Sequence, residues 1–249
     1  MTASVVVSVF GLFHPVELDV QPARQAIAVE CPAAKPRRLE GARKFRLAAG
    51  CAIARSRFIL SIPGRIEREF EGALRVEKRG DTLAALVEMD LESAVAAVVA
   101  AEMPADAPAE ALAAQAVAVR SYYASPGGRH ANGTFCDSTH CQHIKGPVAA
   151  AHPAAKAALA TRGWILEYEG RALRAMYSAA CQGRRQAGAV DGYPYFAVEC
   201  AYCRRNPAAK LGLHHRGLCQ TGAIDLAKMG KDARAILAHY YPGVRIVVR

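Results

Sequence analysis

LESAVAAVVAAEMPADAPAEALAAQAVAVRSYYASPGGRHANGTFCDSTHCQH, residues 91–143, is the stretch on which the reading of this chain turns. Its first part predicts a helix over 91–103, because Leu91, Val95, Val98 and Glu102 recur at helical spacing and share one face. Three of the four are apolar, so the face is expected to be buried, with Glu102 at its end. Pro104 disfavours helix at Met103 and stops the run. A carboxylate in the last turn opposes the helix dipole. Desolvation and the dipole would both raise its pKa, and a carboxylic acid still protonated near neutrality is a general acid. The alternative is an exposed helix-end glutamate that solvates a loop.

A second helix follows Ala105. Asp106 is a candidate cap, Pro108 suits the first turn, and Glu110 suits the positive end of the dipole. Leu112, Ala116, Val119 and Tyr123 form its apolar stripe, with Gln115 and Arg120 off the middle. Its alanines permit close approach to a neighbour. Arg120 offers a planar fork of donors to a carboxylate or a sugar acid; the alternative is a solvated surface arginine. Beyond this helix, His130, Cys136, His140 and Cys141 are spaced H-x5-C-x3-H-C. Two thiolates and two imidazoles suit tetrahedral zinc, and glycines at 127, 128 and 133 give the loop freedom to wrap a metal. A Cys136–Cys141 disulfide beside two bystander histidines is the competing reading.

Three further segments complete a pattern. VVAAEMPADAPAEALAAQAVAVRSYYAS followed by CDSTHCQ resembles the SpoIID/LytB family, the stage II sporulation protein D relatives. AMYSAACQGRR from Ala175, HHRGLCQTGA from His214 and the later HYYPGVRI resemble that family's other motifs, in order, so that the resemblance spans roughly residues 88–249. It implies a peptidoglycan lytic transglycosylase, which cleaves the MurNAc–GlcNAc bond and leaves a 1,6-anhydro-MurNAc end. Glu102 matches the family's catalytic glutamate and Arg120 its required arginine. His214 and Gln220 match groove residues that hydrogen-bond sugar, while His215 and Arg216 depart from the family's Gly and Val. Zinc binding in the family carries onto His130, Cys136, His140 and Cys141. The implied partner is the glycan strand, in an extracytoplasmic setting. The family also covers cell-wall proteins that enhance an amidase, so a non-catalytic wall-binding protein is the alternative. A zinc hydrolase is disfavoured, because four protein ligands leave no open position for water.

The remaining cysteines are read from their places. Cys181 stands where relatives often have Ser or Asn, Cys219 stands where Ser is common, and Cys200 and Cys203 form a CxxC between them. Four thiols converging near the groove suit an all-cysteine zinc site. Two disulfides, an iron–sulfur cluster or four unrelated buried thiols are the other possibilities. The CxxC is not expected to be a redox motif, because RRNPAAK and no βαβ pattern follows it. Cys31 and Cys51 are expected to be two buried thiols unless the protein is exported.

The chain has 249 residues, 52% of them hydrophobic, and a formal charge of +10. That is enough for one large domain or two small ones. The basic balance suits anionic wall polymer; no lysine-rich tail or finger pattern argues for nucleic acid. No run of apolar residues reaches transmembrane length. The start, MTASVVVSVFGLFHPVELDV, lacks a basic leader and a cleavage site, so no signal peptide is visible as the sequence stands. A leader upstream of this numbering or another export route is then required. Residues 3–20 read as strands, and FILSI and ALRVEK as short strands around a Pro63-Gly64 turn. HPAAKAALATRG reads as a helix, WILEYEGRALRAMYSA as a hairpin turning at Glu169-Gly170, Gly183–Tyr195 as a loop, AIDLAKMG and DARAILAHYY as helices, and VRIVV as a closing strand. The mixture points to an α+β fold, with a β-rich N-terminal part over 1–85 and a SpoIID-like core over 86–249, joined at a soft boundary or forming one domain.

Overall fold

The structure, a computed structural model, describes residues 3–130, 133–181, 188–196, 200–206 and 216–249. It is an α+β fold with six helices and mixed sheets among the described residues. The chain divides into two compact units that interleave in sequence: Met1–Ala97 with Gly127–Pro147, and Val98–Pro126 with Val148–Arg249.

The first unit is built on strands β1 (Ser4–Val9), β2 (Leu18–Pro22), β3 (Ile27–Glu30), β4 (Arg37–Leu39), β5 (Phe45–Leu47), β6 (Ala52–Ile62), β7 (Ile66–Arg79) and β8 (Thr82–Asp90). They lie in the order β4-β3-β6-β7-β8-β1, and β2 pairs with both β5 and β6. The long β6 and β7 form a hairpin closed at Pro63-Gly64, where Gly64 has φ 68°; FILSI and ALRVEK are thus parts of one ladder. Alternation along these strands places Val7, Phe58, Leu60, Phe70, Leu74 and Val87 in a common core, all fully buried. Phe10 packs edge-on against Phe70, with centroids 5.7 Å apart. β3 and β6 pair Val29 with Ile53 and Glu30 with Ala52. The next step of that antiparallel register sets Cys31 opposite Cys51, and they form a disulfide with Cα atoms 4.1 Å apart. The expectation of two buried thiols is therefore corrected: distant sequence positions become cross-strand neighbours once the register is set.

The second unit is organised around α2 (Ala109–Ala124), which follows α1 (Leu91–Glu102). Asp90 caps α1 by accepting from the Ser93 amide at 3.0 Å, a signal present in the D-L-E-S sequence. α2 departs from the expected stripe. Pro108 occupies the N-cap position, Asp106 lies outside the helix, and every residue from Ala111 to Tyr123 is buried, Gln115 and Arg120 included. A helix buried all round is a central core element. The alanines explain it, because their small side chains let α3 (Pro153–Ala160), β10 (Trp164–Tyr168), α5 (Gln220–Lys228) and α6 (Ala233–Tyr240) all pack on it. Glu110 accepts from the Ala233 amide at 2.7 Å, and Asp232 from the Ala235 amide at 2.7 Å, so two carboxylates serve the N-terminus of α6.

β10 turns at Glu169 and Gly170, both at positive φ, into a second strand β11 (Arg171–Ala172) that is much shorter than expected. The chain then leaves this sheet, and Tyr177–Ser178 (β12) pairs in parallel with Leu218–Cys219 (β15). The place of the second long strand is taken by the C-terminal strand β16 (Arg245–Val248), which pairs along β10. The described part of the expected 183–195 loop is itself a hairpin, Gly188–Val190 (β13) with Tyr193–Tyr195 (β14), turned by Asp191-Gly192. An Asp-Gly pair between short strands is a hairpin signal in its own right.

Candidate active site and metal centres

Glu102 closes α1, half-buried in the second unit. Tyr177 of β12 lies within its electrostatic reach. Burial first, then the Glu102 carboxylate, and then Tyr123, Tyr122 and Tyr241 push the Tyr177 phenol well above its ordinary range. Tyr177 therefore stays protonated, within electrostatic reach of the carboxylate. Tyr177 is not among the residues that the motifs single out for a role. The signal was its place in AMYSA, which the fold folds back toward the end of α1.

Arg120 is 1% exposed, so it is not a solvated surface arginine. Its Nη2 donates to the Ala158 carbonyl at 3.0 Å, and its Nη1 to the Trp164 carbonyl at 3.2 Å and to Thr161 Oγ1 at 3.5 Å. These acceptors gather at the C-terminal end of α3, where helix carbonyls lack intrahelical partners and carry partial negative charge. The neighbouring Ser121 Oγ accepts from the Leu166 amide at 2.8 Å and donates to the Val117 carbonyl at 2.6 Å. Residues 120 and 121 thus join α2 to α3 and β10. Gln220 begins α5 and is buried; its Nε2 atom has no hydrogen-bond partner among the described residues. His214 lies outside the described residues.

In the first unit, Phe135–Cys136 (β9) adds to the sheet in parallel with β1, pairing Cys136 with Ser8. Asp137 anchors the following loop. Its carboxylate accepts from the Phe10 amide at 3.2 Å and pairs with Arg68 at 2.8 Å. Gly128 permits the tight return of the loop, since a Cβ there would sit 2.5 Å from the Gly133 backbone. His130, Cys136, His140 and Cys141 converge so that one donor atom from each lies within 4.8 Å of all the others. Cys136 Sγ is 3.6 Å from His140 Nδ1, and Cys141 Sγ is 3.5 Å from His130 Nε2 and 3.6 Å from His140 Nδ1. A tetrahedral ion with Zn–S near 2.3 Å and Zn–N near 2.05 Å sets sulfur–nitrogen edges of about 3.6 Å. The donor set therefore fits such an ion. Both thiols are free of a disulfide. Hydrogen bonding from Cys141 first, then from Ser138 and the two histidines, pulls the Cys136 thiol down to about 3, against the opposing effect of its burial. Its partner Cys141 is correspondingly pushed up, first by that hydrogen bond and then by burial. A depression of about 350 Å³ borders this cluster, lined in part by Ser8, Leu12, Arg79 and Thr134.

In the second unit, Cys181, Cys200, Cys203 and Cys219 form a second such group. A short helix, α4 (Ala201–Arg205), starts within the CxxC, with Cys200 as its N-cap residue.

Residues 79–168 match the family model SpoIID, described as stage II sporulation protein, the family that the motifs resemble. The match contains Glu102, Arg120 and the His/Cys group, and ties the chain to a cell-wall-related role. No curated protein matches the chain significantly. No helix among the described residues is long and apolar enough to cross a membrane.

Proposed function

We propose that the protein is a peptidoglycan lytic transglycosylase with Glu102 as its general acid and base. The observation that carries this reading is the position of Glu102: within the family-matched stretch, at the half-buried end of α1, and within electrostatic reach of Tyr177. Glu102 protonates the glycosidic oxygen as the bond between that oxygen and MurNAc C1 breaks. The C6 hydroxyl of the same sugar then attacks C1, and Glu102 takes its proton. One C–O bond is exchanged for another within the glycan, water is not consumed, and one carboxylate suffices where hydrolysing glycosidases use two. Tyr177 donates a hydrogen bond to the carboxylate or to a sugar oxygen at this point, and Gln220 offers its amide to sugar.

Arg120 is a positioning residue in this reading. A side chain so buried, with donors directed at α3 and β10, holds the scaffold around α2, and from that place it stabilises Glu102 or positions the substrate. Zinc occupies the first His/Cys group in a structural role, because four protein ligands complete its tetrahedron. The setting is extracytoplasmic. The Cys31–Cys51 bridge suits an oxidising compartment, and the charge of +10 suits anionic wall polymer.

The test uses purified glycan strands and mass spectrometry of the soluble products. Wild-type protein should release fragments ending in 1,6-anhydro-MurNAc. Glu102→Gln keeps shape and hydrogen bonding but has no proton to give, and should abolish release while retaining glycan binding and the melting temperature. Wild-type turnover by that variant would remove Glu102 from the chemistry. Binding without any anhydro product by the wild type would leave a wall-binding protein that enhances an amidase.

A further inference from the structure

We infer that Cys181, Cys200, Cys203 and Cys219 bind one zinc ion as a closed, all-thiolate structural site, separate from the His/Cys group. All four side chains are at most 2% exposed. They come from four places in the chain: the segment after β12, the residue before α4, the first turn of α4, and the end of β15. Their sulfur atoms all lie within 4.8 Å of one another. A tetrahedral ZnS4 centre with Zn–S near 2.3 Å has sulfur–sulfur edges of about 3.8 Å, and Cys203 and Cys219 are 3.6 Å apart. A disulfide requires about 2.05 Å and would join the thiols in pairs. Here the four converge as a group without pairing, while Cys31 and Cys51 in the same chain are bonded.

The surroundings are built for thiolate. Cys219 is the N-cap residue of α5, where the helix dipole favours negative charge. Thr221 Oγ1 lies 3.6 Å from Cys203 Sγ and 3.4 Å from Cys219 Sγ, and the Tyr240 hydroxyl lies 3.9 Å from Cys200 Sγ. Such hydrogen bonds to ligating sulfur orient it and offset its charge. Gly222 leaves the required space. A Cβ there would lie 2.2 Å from the Tyr240 hydroxyl and 2.6 Å from Cys200 Sγ. The frame is set by backbone pairing, with Ser178 opposite Cys219 in the β12–β15 ladder and the Thr221 amide donating to the Ala179 carbonyl at 3.1 Å. An ion here ties β12, α4 and α5 together and fixes the start of α5, where Gln220 directly follows Cys219. Apolar packing does little of this, because α4 has a single buried residue, Cys203 itself. Four protein sulfurs leave no open coordination position, so the role is structural.

The experiment measures metal and thiols in whole-chain protein purified from medium containing both zinc and iron. Wild type should carry two zincs per chain, and Cys141→Ser, which breaks only the His/Cys group, should retain one. Cobalt exchanged into Cys141→Ser should show the intense sulfur-to-metal charge transfer and strong visible d–d bands of a tetrahedral thiolate site. Denaturation with chelator should then free the thiols of Cys181, Cys200, Cys203 and Cys219. Cys203→Ser should lose the other zinc; if that variant does not fold, the metal content and cobalt spectrum of Cys141→Ser still decide. A Cys141→Ser protein with no zinc, with iron in its place, or with these four cysteines oxidised in pairs overturns the assignment. These readouts are independent of glycan cleavage, so the site stands or falls apart from the proposed activity.

Discussion

Replacing Arg120 by alanine separates a scaffold role from direct action on glycan. The guanidinium's hydrogen bonds include two well-formed ones to main-chain carbonyls, Ala158 at 3.0 Å and Trp164 at 3.2 Å, and a longer one to Thr161. A hydrogen bond from a charged donor contributes roughly 1.5–3 kcal/mol, and a buried carbonyl left without a donor costs about 1–3 kcal/mol. These describe the same loss from two sides, so the two carbonyls together set a cost of about 4 kcal/mol. At roughly 3 °C per kcal/mol for a chain of this size, the melting temperature should fall by about 12 °C. Arg120→Lys keeps the charge but presents a single point donor in place of a fork, so it should fall between the two. The assay pairs circular-dichroism melting with release of anhydro-ended glycan at a temperature where both proteins are folded. Under the scaffold reading, activity and stability decline together, and Lys restores part of each. Abolished cleavage with a melting temperature within about 3 °C of wild type would refute the reasoning and give the arginine a direct role at the Glu102 carboxylate or at the substrate.

Two further outcomes follow from the frame. Replacing both Cys31 and Cys51 by Ser removes a bridge that closes a 20-residue separation, and chain-entropy arithmetic puts the cost at about 3 kcal/mol; urea unfolding that is the same for this variant and wild type would show that the bridge is absent from the purified protein. Gly217→Ala places a Cβ 1.6 Å from the Met176 carbonyl oxygen at a φ of +69°, so the β12–β15 pairing must shift, with a loss of at least ~2 kcal/mol; an unchanged melting temperature would show that the backbone at this turn is set differently.

What the sequence determined by itself is the local and the chemical. The 3.6-residue pattern and Pro104 fixed the helix that ends at Glu102, the Pro63-Gly64 and Glu169-Gly170 pairs fixed two turns, and the long motif around EMP and AQAVAVRSYY carried the resemblance to the SpoIID family. These signals are short-range, so they survive in one dimension. The burial of Arg120 was not legible, because a stripe of alanines looks the same whether one neighbour or four pack against it. The disulfide was not legible either: Cys31 meets Cys51 only through the register of β3 on β6. The interleaving of the two units, with residues 127–147 folding alongside the N-terminal strands, depends on β9 pairing with β1 and on Asp137 reaching Arg68 and Phe10, contacts more than sixty residues apart. Tyr177 gained its place within electrostatic reach of Glu102 in the same way. Composition marks which residues are capable of chemistry, but long-range pairing decides which of them meet, because a strand's partner is chosen by the whole sheet rather than by its own residues.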